Sequence, residues 1–130
     1  MSLLPSDLVG HAKQAIQEIE PLALGKHLDD NPVVIDVREP DEFARGAIPG
    51  AVNIPRGVLE FELKQHPVLN CEPHPVVVMP EQPIYLYCRS GGRSALAAAS
   101  LQTMGFANVW SLAGGYCAWE SQGHPVSIVA

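Results

Sequence analysis

Apolar and polar positions along this chain follow two different periods. Val33-Val34-Ile35-Asp36-Val37 is a continuous, largely β-branched run bounded by Pro32 and by Glu39-Pro40. That is the pattern of a strand buried on both faces in a parallel sheet. Ile84-Tyr85-Leu86-Tyr87 repeats it, and shorter runs at residues 51–54 and 109–112 predict two more strands. Between these runs the spacing turns helical. Leu8, Ala12, Ile16 and Ile19 predict an amphipathic helix over residues 6–18, opened by Pro5-Ser6-Asp7. So short a helix is marginal alone and must pack on the domain or on a partner. Further helices are predicted over residues 22–28, 58–65, 94–104 (closed by Gly105) and 116–121, with a helical turn at 41–45. Strands alternating with helices predict an α/β sheet with helices on both faces. Active residues then belong at the carboxyl ends of strands, where Asp36 and Cys88 fall. Residues 66–83, with Pro67, Pro73, Pro75, Pro80 and Pro83, read as a surface loop. Within them Val76 to Met79 reads as a strand or an extended edge segment.

Composition adds bounds. The 130 residues suffice for one domain with a real core. A 47% hydrophobic and 17% charged content is that of a globular chain. The net charge of −6 argues against general nucleic-acid binding. No apolar run is long enough to span a bilayer. Residues 1–20 lack a basic start and a continuous apolar core, and Cys71, Cys88 and Cys117 are odd in number and scattered. The expectation is a reducing cytoplasmic compartment with free thiols.

The chemistry concentrates in Cys88-Arg89-Ser90-Gly91-Gly92-Arg93-Ser94, between a predicted strand and a predicted helix. Backbone N–H groups of such a loop point inward, and the helix N-terminus adds partial positive charge. Both favour the thiolate, the reactive form of cysteine. Arg89 and Arg93 add full charges, and Gly91 and Gly92 supply tolerance of positive φ. Four residues separate Cys88 from Arg93, whereas cysteine-dependent phosphatases place five between nucleophile and arginine. The shorter loop fits a smaller transferring atom, with sulfane sulfur the obvious candidate.

These residues resemble the rhodanese (sulfurtransferase) family, whose active loop reads Cys-Arg-x-Gly-x-Arg. The resemblance extends to Val34-Ile35-Asp36-Val37-Arg38-Glu39, to Glu42-Phe43, to Gly46-Ala47-Ile48-Pro49-Gly50-Ala51 and to Asn53-Ile54-Pro55. It closes with Gly114-Gly115-Tyr116-Cys117-Ala118-Trp119 and Gly123-His124-Pro125-Val126, covering roughly residues 19–127. Two departures stand out. Ala47 replaces a common histidine, and the stretch at 66–83 is longer than a minimal domain of the family needs. The resemblance implies a three-layer fold with a central parallel sheet of about five strands and helices on both faces. It divides the chain into an N-terminal helical extension (1–18) and a rhodanese-like domain (19–130).

The resemblance implies Cys88 as the nucleophile, which accepts sulfur from thiosulfate or a related sulfane donor as a persulfide. Arg89, Ser90, Gly91, Gly92, Arg93 and Ser94 would bind the anionic donor, and a thiophile (cyanide, a thiol or a protein cysteine) would take the sulfur. No metal or organic cofactor is required. A protein-to-protein persulfide carrier and a small thiol redox or arsenate-reducing enzyme stay open as alternatives. Asp36 and Arg38 stand near the expected rim as supporting residues. Their structural expectation pairs Arg38 with an acidic neighbour such as Glu42 and lets Asp36 accept loop N–H groups. Gly114-Gly115 is expected to permit close approach to the loop, and Trp119 to fill core. His66, Cys71 and His74 are a weak metal set without a paired Cys-x-x-Cys. Cys117 is expected to pack, with a resolving-thiol role as the alternative.

Overall fold

A computed structural model describes residues 3–64, 76–77 and 81–128. Five strands form one parallel sheet: β1 (Gln17–Ile19), β2 (Val33–Asp36), β3 (Val52–Asn53), β6 (Ile84–Tyr87) and β7 (Val109–Leu112), in the order β1-β7-β6-β2-β3. Two short strands, β4 (Leu63–Lys64) and β5 (Val76–Val77), pair in parallel apart from it. The helices are α1 (Pro5–Ala15), α2 (Pro21–His27), α3 (Pro40–Arg45), α4 (Leu59–Glu62), α5 (Gly92–Thr103) and α6 (Gly115–Ser121).

The continuous apolar strands are explained by two cores. Strand residues alternate between faces. Val34, Tyr85, Tyr87 and Leu112 face Leu24 of α2 and Tyr116 and Trp119 of α6. Ile35, Ile84, Leu86 and Val109 face Leu59 of α4 and Ala97, Ala98 and Leu101 of α5. On α5 the inward residues recur at Ser94, Ala97, Ala98 and Leu101, the spacing of one helical face. Its end is a Schellman closure: Gly105 N–H donates to Gln102 O and Phe106 N–H to Leu101 O, with Phe106 buried. Trp119 is fully buried, as expected, and its indole N–H donates to Pro125 O at 2.7 Å.

Two elements differ from the sequence expectation. The first helix ends at Ala15, and Gln17–Ile19 is an edge strand paired with Trp110–Leu112, so the boundary expected between residues 18 and 19 falls inside β1. Ile16 and Ile19 fit a helical period, but their burial is supplied by the sheet edge. The helix expected over 58–65 is shorter: a 3₁₀ turn at Arg56–Val58 leads into α4, and Leu63 turns extended to pair with Val76. Val76–Val77 is thus a strand, while Val78 and Met79 lie outside the described residues.

The sheet order reverses between β2 and β6. β2 and β3 wind one way from the centre and β6 and β7 the other. Open parallel sheets place their crevice at such a point, outside the carboxyl strand ends. Asp36 ends β2 and Cys88 follows β6 there, with Asp36 in register with Tyr87.

Candidate active site

Cys88 leaves the end of β6 and the chain turns through Arg89-Ser90-Gly91 into α5. Gly91 stands at the helix N-cap with φ +108°, a conformation open to glycine at little cost. Its N–H donates to Cys88 Sγ at 3.0 Å. Ser94 Oγ lies 3.5 Å from the same sulfur and 2.8 Å from Ser111 Oγ on β7. Cys88 is only 1% exposed, and Ser94 and Ser111 are fully buried. Burial pushes the Cys88 thiol up. The Ser94 hydroxyl and the N–H groups of Ser94, Gly91 and Ser90 outweigh it, and the net direction is down.

The arginines behave differently from each other. Arg93 donates to both carboxylate oxygens of Glu42, at 2.8 and 3.2 Å. Its positive charge is therefore largely offset, so the hydroxyl and the amides, not the arginines, lead in favouring the thiolate. The Cys88 charge still acts on the Arg93 guanidinium, after its Glu42 contacts. Arg89 is exposed, and no carboxylate lies within ion-pair distance of it among the described residues. Ser90 is exposed, Gly91 is buried and Gly92 is half-buried.

Asp36 and Arg38 form a buried unit beside the loop. Arg38 Nη2 donates to Asp36 Oδ2 at 2.7 Å and to Gly46 O at 2.6 Å, while its Nε and backbone N–H reach Asp36 Oδ1. The guanidinium also lies over the Tyr116 ring, 4.3 Å from its centroid. The expected Arg38–Glu42 pairing is thus corrected: Glu42 holds Arg93, and the nearer carboxylate two residues back takes Arg38. Asp36 does accept a backbone N–H, that of Arg38.

Helix α6 supports the loop from behind. Tyr116 N–H donates to Cys88 O at 2.7 Å and Cys117 N–H to Arg89 O at 3.0 Å. Gly115, at φ +61°, has no room for a side chain, because a Cβ there would stand 2.6 Å from the carbonyl oxygens of Cys88 and Arg89. The close approach expected of Gly114-Gly115 is therefore real. Cys88 and Cys117 are free thiols, the second exposed. His66, Cys71 and His74 lie outside the described residues.

Sequence reasoning did not single out Ser111 or the Glu42–Arg93 pair. A serine inside an otherwise apolar buried strand needs a polar partner, and that signal pointed to Ser111. Glu42 also accepts from Glu39 N–H at the start of α3, a capping pattern visible as Glu39-x-x-Glu42.

This geometry can hold a thiolate and an anion bound to it, and the chain is similar in sequence and fold to known proteins. A sulfurtransferase of Allochromatium vinosum is 31% identical over 85% of this chain and 94% of its own. The structure of a protein of unknown function from Rhodopseudomonas palustris, described as a possible tyrosine phosphatase, superposes with a TM-score of 0.78 at 30% identity, over 98% of this chain and 96% of that one. A human single-domain sulfurtransferase gives a TM-score of 0.68 at 28% identity, over 81% and 96%. The family profile described as the rhodanese-like domain matches residues 20–122, from the β1–α2 junction through the Cys88 loop to the end of α6, and on that match the chain belongs to the rhodanese-like domain family.

Proposed function

We propose that this protein is a rhodanese-type sulfurtransferase working through a persulfide on Cys88. The Cys88 thiolate attacks the outer sulfur of thiosulfate. A new S–S bond forms as the bond to the sulfonate sulfur breaks, and sulfite leaves with the electron pair. A thiophile such as cyanide then attacks the terminal sulfur, forming thiocyanate and returning Cys88 as thiolate. The process is covalent catalysis in two displacements, and ping-pong kinetics follow.

The observation that carries this proposal is the donor set on the sulfur: Gly91 N–H at 3.0 Å, joined by the Ser94 hydroxyl and the N–H groups at the start of α5. The same amides can hold the terminal sulfur of the persulfide as an oxyanion hole holds oxygen. Exposed Arg89 and Ser90 stand at the solvent side, where a donor anion arrives. Four residues between Cys88 and Arg93 favour sulfur over the phosphoryl group that the R. palustris description would suggest. Sulfurtransferase relatives support the same choice.

Thiosulfate:cyanide turnover tests it. Cys88→Ser is expected to abolish thiocyanate formation, while Cys117→Ser and Cys71→Ser retain most of it. Near-native turnover in Cys88→Ser would remove the mechanism, and hydrolysis of an aryl phosphate exceeding sulfur transfer would favour the phosphatase.

A further inference from the structure

Helix α1 closes over the amino end of α5. Ala12 is buried, and Val9 Cγ2 lies 3.6 Å from where a Cβ on Gly92 would stand. One turn beyond Val9, Lys13 carries its ammonium to the Gly91 turn: Nζ is 4.0 Å from the position a Cβ on Gly91 would take. Gly91 is the residue whose N–H donates to Cys88 Sγ. The far end of α1 is fixed by β1, whose Ile19 O accepts from Ala113 N–H at 2.8 Å, so Lys13 is held between a packed helix and a paired strand.

The charge balance at the loop gives this placement meaning. Arg93 is matched by Glu42. Lys13, like Arg89, is exposed and has no carboxylate within ion-pair distance among the described residues. These two cations act on an approaching anion with little local compensation, while the chain as a whole, at −6, repels it. A lysine is a flexible point charge and needs no fixed hydrogen bond to attract an anion inside a Debye length of about 10 Å.

We propose that Lys13, from outside the nucleophile loop, is a specificity-determining residue that favours anionic sulfur donors by guiding them onto Cys88. It acts on the incoming anion and leaves the thiol's own reactivity to Ser94 and the amides. The inference rests on the sulfurtransferase reading of the site, and its main test does not use a sulfur donor.

The rates at which Cys88 is alkylated by iodoacetate, an anion, and by iodoacetamide, its neutral counterpart, separate guidance from reactivity when the modified peptide is identified by mass spectrometry. Lys13→Gln is expected to lower the iodoacetate-to-iodoacetamide ratio about threefold at low ionic strength. Lys13→Glu lowers it further, Lys13→Arg retains it, and high salt erases the differences. The iodoacetamide rate itself stays within about twofold of the native chain. In turnover, Lys13→Gln raises KM for thiosulfate by about the same factor as the ratio falls and leaves kcat nearly unchanged. An unchanged ratio in Lys13→Gln overturns the proposal, as does an equal fall with both reagents, which would mean a disturbed loop. A lowered ratio in a protein that takes no sulfur from thiosulfate would keep the guiding role and overturn the sulfurtransferase reading beneath it.

Discussion

Ser94 and the loop amides, more than any cation, set the state of Cys88. A hydrogen bond to a charged group is worth about 1.5–3 kcal/mol, and Ser94 Oγ is oriented for it by Ser111 at 2.8 Å. Ser94→Ala should therefore slow iodoacetamide alkylation of Cys88 at neutral pH several-fold and move its pH profile upward. Arg93→Ala should do less, because Glu42 already offsets that charge. A larger effect from Arg93→Ala would return the leading role to the arginine. Glu42 offers a second test. The Arg93 hydrogen bond holds its carboxyl down to about 2 from an ordinary 4.5, against the upward push of burial. With the folded value below the unfolded one, the pair stabilises the fold fully above pH 4.5 and loses this as pH falls through about 2. The stability gap between the native chain and Glu42→Gln, measured by urea unfolding, should be within about 1 kcal/mol at neutral pH. It should narrow below pH 4.5 and close near 2. A gap independent of pH would show that the pair's charge contributes nothing.

The loop holds its shape because α6 is packed against it through backbone. Gly115→Ala forces a Cβ to 2.6 Å from two carbonyl oxygens at φ +61°. It should cost at least about 2 kcal/mol in denaturant unfolding and reduce turnover with it. Gly10→Ala, in α1 with nothing within 4 Å of its Cβ position, should be neutral or stabilise by up to about 1 kcal/mol. Equal effects at the two glycines would deny α6 its supporting role. Elements of this kind were legible in the sequence where the pattern is local: β2 and β6 read correctly from continuous apolar runs, and α5 from a helical run closed by Gly105. Strand β1 was not legible, because Gln17-Glu18-Ile19 is a mostly polar edge whose burial comes from β7, far along the chain. The Glu42–Arg93 pair escaped for a similar reason: its members are 51 residues apart and meet only once β2 and β6 lie side by side. Arg38 was assigned the wrong carboxylate because local spacing allowed both Asp36 and Glu42.

Across the whole molecule, two cores on either side of one parallel sheet place Cys88 at the crevice where the strand order reverses. Cys88 and the glycine-rich turn were visible in the sequence as a motif, and the fold supplies what the motif could not: burial of the sulfur, a serine relay from β7, and a lysine from α1. The molecule thus presents an anion-attracting spot on a chain of net charge −6. In the proposed function, this spot carries sulfur on Cys88. Incubation of the native protein with thiosulfate, followed by intact-mass and peptide mass spectrometry without reductant, tests that most directly. The expected result is the added mass of one sulfur atom, located on the Cys88 peptide, absent from Cys88→Ser and discharged by cyanide. No added sulfur, or sulfur found on Cys117 with Cys88 unmodified, would contradict it.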